Sequence, residues 1–198
     1  MSFTATYLRE AAQIAAAIDT ASIERLVDLL AATRERGGRV FVIGVGGSAA
    51  NASHWVSDLR KLADVEAYAP TDNVAELTAR TNDEGWPRVF ADWLEVSRVV
   101  ADDLLVVLSV GGGSVAPPVS PNLIEAIRAA KRVGARVAGV VGRDGGFTGR
   151  EADLCVIVPT VNPEHTTAHT EAMQAVIGHL LVTHPTLRRR RGHWESIG

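Results

Sequence analysis

The chain has 198 residues, 46% of them hydrophobic and 22% charged, which suits one well-buried domain and excludes a disordered chain. Lysine and arginine number 20 against 23 aspartates and glutamates, a net charge of -3 at pH 7, so no global positive field draws the chain to nucleic acid. The longest apolar runs, such as 104–108, are far below the roughly 20 residues of a membrane span, and one cysteine, Cys155, excludes an internal disulfide or a multi-cysteine metal site.

The first residues carry Arg9, Glu10 and Asp19 among alanines, the pattern of an amphipathic helix and not of a secretory leader, so a cytoplasmic chain is expected. Three-to-four spacing of Ile14, Ile18, Ile23, Leu26, Leu29 and Leu30 predicts helices over 4–18 and 21–36, stopped by Gly37 and Gly38. Leu8, Ile14 and Ile18 exceed what one face of a small sheet covers, so these N-terminal helices are expected to pair with other subunits. A β-rich run, 39–44, then meets Gly46-Gly47-Ser48 and a segment, 49–62, free of proline and glycine. Residues 64–69 read as a further strand, and 73–79 and 86–96 as helices.

The order of strand, glycine turn and helix returns at 104–109, Gly111–Ser114 and 120–133, where Ser120 suits the helix cap and Pro121 the first helical position. Two more apolar strands, 136–141 and 153–158, precede a long helix over 166–183; Cys155 reads as a small core residue. A polar, arginine-rich tail, 186–198, reads as solvated. Strands alternating with helices imply an α/β fold with a parallel sheet covered on both faces, in a single domain over 1–185 that comprises N-terminal helices over 1–37 and an α/β core over 38–185.

Such a sheet presents ligands at the carboxyl ends of its strands, where helix N-termini offer free N–H groups. Gly44-Val45-Gly46-Gly47-Ser48 and Ser109-Val110-Gly111-Gly112-Gly113-Ser114 both fall there and suit a phosphate, although neither is a Walker loop or a clean dinucleotide fingerprint. His54 and Asp58 share one face of the helix after the first turn, while Glu171 and His179 lie eight apart on the last helix. A histidine and a carboxylate from each of two helices make a ligand set for zinc or another divalent ion, and equally an acid–base set. The structural alternative is a solvated carboxylate–histidine pair, with His179 a core histidine among Ile177, Leu180 and Leu181. His165, His169 and His184 read as surface or capping residues, and Asn82-Asp83 as a polar loop that either bonds a polyol or simply turns the chain.

The blocks Gly46-Gly47-Ser48 with His54 six residues on, Ser120-Pro121-Asn122-Leu123-Ile124-Glu125-Ala126-Ile127, Val141-Gly142-Arg143-Asp144-Gly145-Gly146, and Glu171 with His179-Leu180-Leu181 together resemble the SIS (sugar isomerase) domain family. Within that family the phosphoheptose isomerases are the most similar, over roughly 5–183. The resemblance implies a five-stranded parallel sheet flanked by helices, a flavodoxin- or Rossmann-like three-layer arrangement. It also implies a homotetramer with intersubunit active sites and isomerisation of sedoheptulose 7-phosphate to D-glycero-D-manno-heptose 7-phosphate, toward nucleotide-activated heptose.

Position by position, the resemblance implies Gly46, Gly47 and Ser48 at the sugar end, Ser109, Gly111 and Ser120 around the phosphate, and Asn82 and Asp83 in the sugar-binding loop. It places His54, Asp58, Glu171 and His179 around Zn2+, with Asp58 or Glu171 as the catalytic base and His179 shuttling the second proton. Departures from the family pattern are Val45 for Asn, Asp58 for Glu, Glu171 for Gln, Val110-Gly111 for Thr-Ser, and an insertion over roughly 113–119. They keep open a non-catalytic sugar-phosphate-binding or regulatory module, or an isomerase of another sugar phosphate.

Overall fold

Five parallel strands, β1 (Val40–Ile43), β2 (Ala67–Tyr68), β3 (Leu104–Ser109), β4 (Arg136–Val141) and β5 (Leu154–Ile157), form one sheet in the order β2-β1-β3-β4-β5. The computed structural model describes residues 2–197. Successive strand side chains point to opposite faces, so each apolar run feeds two cores. Val40, Val42, Leu104, Val106, Leu108 and Val140 enter one core, under α1 (Phe3–Ala17), α2 (Thr20–Glu35), α3 (Gly47–Ala63) and α8 (Thr166–Thr183). Phe41, Ile43, Leu105, Val107 and Val137 enter the other, under α5 (Val89–Val96) and α6 (Pro121–Arg132). Burial on both faces is why β3 and β4 read as unbroken apolar runs.

The second strand is shorter than 64–69 because Asp64 ends α3 in a left-handed conformation, φ 51°, and the chain becomes extended only afterwards. Two small helices, α7 (Gly146–Glu151) and α9 (His193–Ser196), have no counterpart among the expected elements, whereas α4 (Val74–Asp83) runs four residues past its expected end. Cys155 is only half-buried because β5 is an edge strand, and burial still pushes its thiol up to about 11. No helix among the described residues is long and apolar enough to cross a membrane.

Ile14 and Ile18, expected at a subunit interface, are buried in the chain's own core, leaving Phe3 and Leu8 as the exposed large apolar residues of α1. The helix is also held by Glu10. Its Oε2 stands 2.7 Å from His165 Nδ1 and 3.0 Å from His169 Nε2, and its Oε1 accepts from Asn162 Nδ2 at 2.8 Å. His165 and His169 are therefore not surface caps; His169 is fully enclosed, with the Tyr7 ring 4.3 Å away.

Hydrogen bonds from the two imidazoles and Asn162 lower the Glu10 carboxyl from 4.5 to about 2. A depressed native pKa contributes stability that is complete above the unfolded value and lost as pH falls through the native one. The wild type is therefore expected to lose melting temperature between about pH 4.5 and 2, and Glu10→Gln to lose less across that window. Thermal melts at stepped pH measure both, and parallel slopes in the two proteins contradict the assignment.

The tail does not begin as free chain. Leu187 is fully buried, and Arg34 Nη1 donates to the carbonyls of Ala63 and Leu187, each at 2.8 Å. Further on, the Arg189 and Arg190 N–H groups donate to the Leu62 carbonyl at 2.8 and 3.0 Å.

Candidate functional site

Three side chains fix α3 against α8. Asn51 Nδ2 donates to the Glu171 carbonyl at 2.8 Å and to Gln174 Oε1 at 3.2 Å, and Trp55 Nε1 donates to the Gln174 carbonyl at 2.9 Å. With the helices in this register, the α3 face bearing His54 and Asp58 meets the α8 turn bearing His179. His54 Nε2 lies 3.2 Å from both His179 Nε2 and Asp58 Oδ2, and His179 Nε2 lies 3.6 Å from Asp58 Oδ2.

Both imidazoles are more than half exposed, 54% for His54 and 59% for His179, so His179 is no core histidine. Ligand atoms bound tetrahedrally at 2.0–2.1 Å stand about 3.3 Å apart. The three edges of this triangle match that spacing, and its open side leaves room for a further ligand, so the donor set fits a divalent ion.

Glu171 is not in the triangle. Eight residues before His179, it sits about 12 Å up the helix axis, and its carboxylate lies over Gly47, where any Cβ would collide with it. Next to it the first glycine turn opens α3. Gly46 takes φ 64°, and Ser48 is 1% exposed with its hydroxyl unpartnered. The second turn closes β3: Ser109 Oγ accepts from the Gly112 N–H at 3.0 Å, and the Gly112 carbonyl accepts from the N–H and hydroxyl of Thr148 at 2.9 and 2.8 Å. Gly112, at φ 67°, packs so tightly on the Gly145 carbonyl that no Cβ fits.

The two turns lie at the β1–β3 switch, where the strand order reverses and a crevice opens. A cleft of about 440 Å³ follows the second turn, lined by Gly111, Gly113, Ser114, Val119, Arg143 and Arg150. Another, of about 420 Å³, lies over His54, Asp58 and His179.

A model of the SIS domain family matches residues 6–142. The chain belongs to the SIS domain family. It is 36% identical over 186 residues to a phosphoheptose isomerase of Solidesulfovibrio magneticus, covering 89% of this chain and 85% of that one. A lincomycin biosynthesis protein of Streptomyces lincolnensis is 37% identical over 163 residues, 77% of this chain, but the chain spans only 58% of that protein's length. The solved phosphoheptose isomerase of Neisseria gonorrhoeae superposes with a TM-score of 0.79 at 26% identity, over 90% of this chain and 94% of that one.

Within this SIS domain the other expected site residues divide. Gly46, Gly47, Ser48, Ser109 and Gly111 stand at the two turns. Ser120 precedes α6 as expected, but at φ 48° it is left-handed and its side chain caps nothing. Just before it, Ser114 and Val119 pair by two 2.9 Å backbone bonds, and the chain leaves that hairpin by a bend at Ser120. Asn82 and Asp83 form no loop. They lie on the last turn of α4, exposed, with Asn82 Nδ2 donating to Asp83 Oδ1 at 2.7 Å, outside the clefts described above. The Glu76–Arg80 pair, four residues apart at 2.8 Å, supports that extra turn, and Gly85 follows it.

Arg143 was legible only as part of a glycine block, yet it is left-handed at φ 52° and projects into the cleft at the second turn. Asn51 carried no signal, because its role depends on which helix α3 meets. Asn122 is fully enclosed beside Ser120 with both side-chain polar atoms unpartnered. Buried polar atoms are almost always hydrogen-bonded, so Ser48 and Asn122 mark both turns as places that take a polar partner.

Proposed function

We propose that the chain is a phosphoheptose isomerase that interconverts sedoheptulose 7-phosphate and D-glycero-D-manno-heptose 7-phosphate. The observation that carries this is the convergence of two imidazoles and a carboxylate from α3 and α8 in a chain similar to phosphoheptose isomerases over most of its length.

Ketose-to-aldose isomerisation moves one proton from C1 to C2 and another from O1 to O2 through an enediol. Asp58 Oδ2 faces both imidazoles, which leaves Oδ1 to take the C1 proton and return it to C2. His179 moves the hydroxyl proton on Nδ1, the ring nitrogen outside the triangle. Glu171 lies outside the triangle, with its carboxylate against Gly47, so the base is assigned to Asp58. The sugar hydroxyls meet Ser48 and the first turn. The phosphate meets Ser109, Gly111 and Ser120, with Arg143 supplying charge in place of the hydroxyls absent at Val110 and Gly111.

His54, Asp58 and His179 are the residues that would hold a divalent ion, with zinc the best match to a two-imidazole, one-carboxylate donor set. When bound, it supplies the Lewis acidity that polarises the carbonyl. The working protein is read as a cytoplasmic homotetramer with sites between subunits, supported by Phe3 and Leu8 exposed on α1 at 70% and 64% and by imidazoles that face outward. Light scattering is expected to give four chains, and a monomer overturns the intersubunit site.

Proton NMR of sedoheptulose 7-phosphate with chelator-stripped and zinc-reloaded protein tests the reading. An aldose anomeric signal is expected only after reloading. Binding of the ketose phosphate without turnover in either sample favours the non-catalytic module. Glu171→Gln is expected to retain turnover within about 10-fold, since it keeps the shape of the side chain beside Gly47 and removes no proton-transfer group.

A further inference from the structure

We propose that the arginine-rich C-terminal segment belongs to the site, with Arg188 and Arg191 presenting guanidinium groups to a ligand oxyanion at His54, Asp58 and His179. The proposal rests on the isomerase reading above, in which that oxyanion is the enediolate. The segment is anchored before it reaches the site. Leu187 is enclosed in the core, and Arg34 grips the carbonyls of Ala63, Thr186 and Leu187 at 2.8, 3.3 and 2.8 Å. Backbone bonds from Arg189 and Arg190 to the Leu62 carbonyl then lay the chain along the last turn of α3. Leu62 is one turn beyond Asp58, so this anchoring brings the arginines to the mouth of the triangle.

The resulting cleft of about 420 Å³ is walled by His54, Asp58 and His179 on one side and by Arg188, Arg190 and Arg191 on the other, with Glu195 also at its edge. Arg190 is neutralised by Asp64, its Nη2 2.8 Å from Oδ1. Among the described residues Arg188 and Arg191 have no ion-pair partner within 4.0 Å, and they share the cleft with the proton-transfer groups and the Glu195 carboxylate. The enediolate carries negative charge that neither ketose nor aldose has. Preplaced cations therefore stabilise the intermediate more than the bound substrate and act on kcat more than on KM.

The test compares wild type with Arg188→Gln/Arg191→Gln and with a chain ending at Arg190, which keeps Leu187 and the backbone bonds to Leu62. Zinc content and melting temperature should be unchanged. The expected result is a kcat lower by ~10-fold or more at nearly constant KM, with an equal loss of affinity for a phosphorylated hydroxamate that mimics the enediolate. Equal kcat and equal hydroxamate affinity in all three proteins overturn the proposal. If wild type fails to isomerise the ketose, the isomerase reading falls by itself. Calorimetric titration with inorganic phosphate then decides the tail: weaker binding by the double variant supports an oxyanion site, and identical binding overturns it.

Discussion

Asp58→Asn is expected to lower turnover of sedoheptulose 7-phosphate by about 100- to 10,000-fold, the range that loss of a positioned general base produces. The substitution keeps the shape of the side chain and its place on α3, half-buried beside His54 and His179, so circular dichroism and the unfolding midpoint should stay near wild type. What it removes is the acceptor for the C1 proton and one negative charge from the triangle. His179→Ala is expected to be comparably severe, and the double variant little worse than either single one, because groups that act as a unit lose their effect together. Turnover within about 10-fold of wild type in both single variants assigns the chemistry elsewhere. The metal content of Asp58→Asn should also fall, which separates these residues from the braces around them.

At the amino ends of β1 and β3, Asp103→Ala is expected to cost about 3 kcal/mol of folding stability without touching the chemistry. Its carboxylate is 2% exposed and accepts from the backbone N–H groups of Arg39 at 2.8 Å and Val100 at 2.9 Å. It also takes the Arg39 guanidinium through Nε at 3.2 Å and Nη2 at 2.7 Å. One side chain thereby ties the entry of β1 to the entry of β3. Truncation leaves two backbone donors and a guanidinium without their acceptor, in a place only partly open to water. In urea, with a slope of about 2 kcal/mol per M, the midpoint should fall by about 1.5 M. Because the lock touches neither His54, Asp58 and His179 nor the two glycine turns, kcat of the folded protein should not change. A midpoint shift below about 0.3 M contradicts the lock.

Arg39 and Asp103 are separated by 64 positions, and nothing local relates them. The same limit governs the site. The i,i+4 spacing of His54 and Asp58 is a property of a single helix, and it is legible wherever the helix is. That His179 joins them while Glu171 does not depends on how α3 and α8 register through Asn51 and Trp55, contacts that span about 120 positions. Residue type also misled where local geometry changed. Ser120 has the chemistry of a cap but emerges from the Ser114–Val119 hairpin left-handed, and Asn82-Asp83 has the composition of a turn but ends a helix whose ion pair carries it one turn further.

What the sequence determined by itself were features set within one element or one turn. These are the apolar runs that must be buried on both faces, the start and stop of α8, the two glycine turns at strand ends, and the shared face of His54 and Asp58. Pairings between distant elements came instead from the way the helices dock. Glu10 meets His165 and His169, Glu171 lies over Gly47, Asp103 holds Arg39, and an arginine-rich tail anchored through Leu187, Arg34 and the Leu62 carbonyl lines the cleft over the triangle. Periodicity and turn chemistry act over a few residues, whereas these contacts depend on how whole helices dock on the sheet, and that is fixed by the packing of both cores at once.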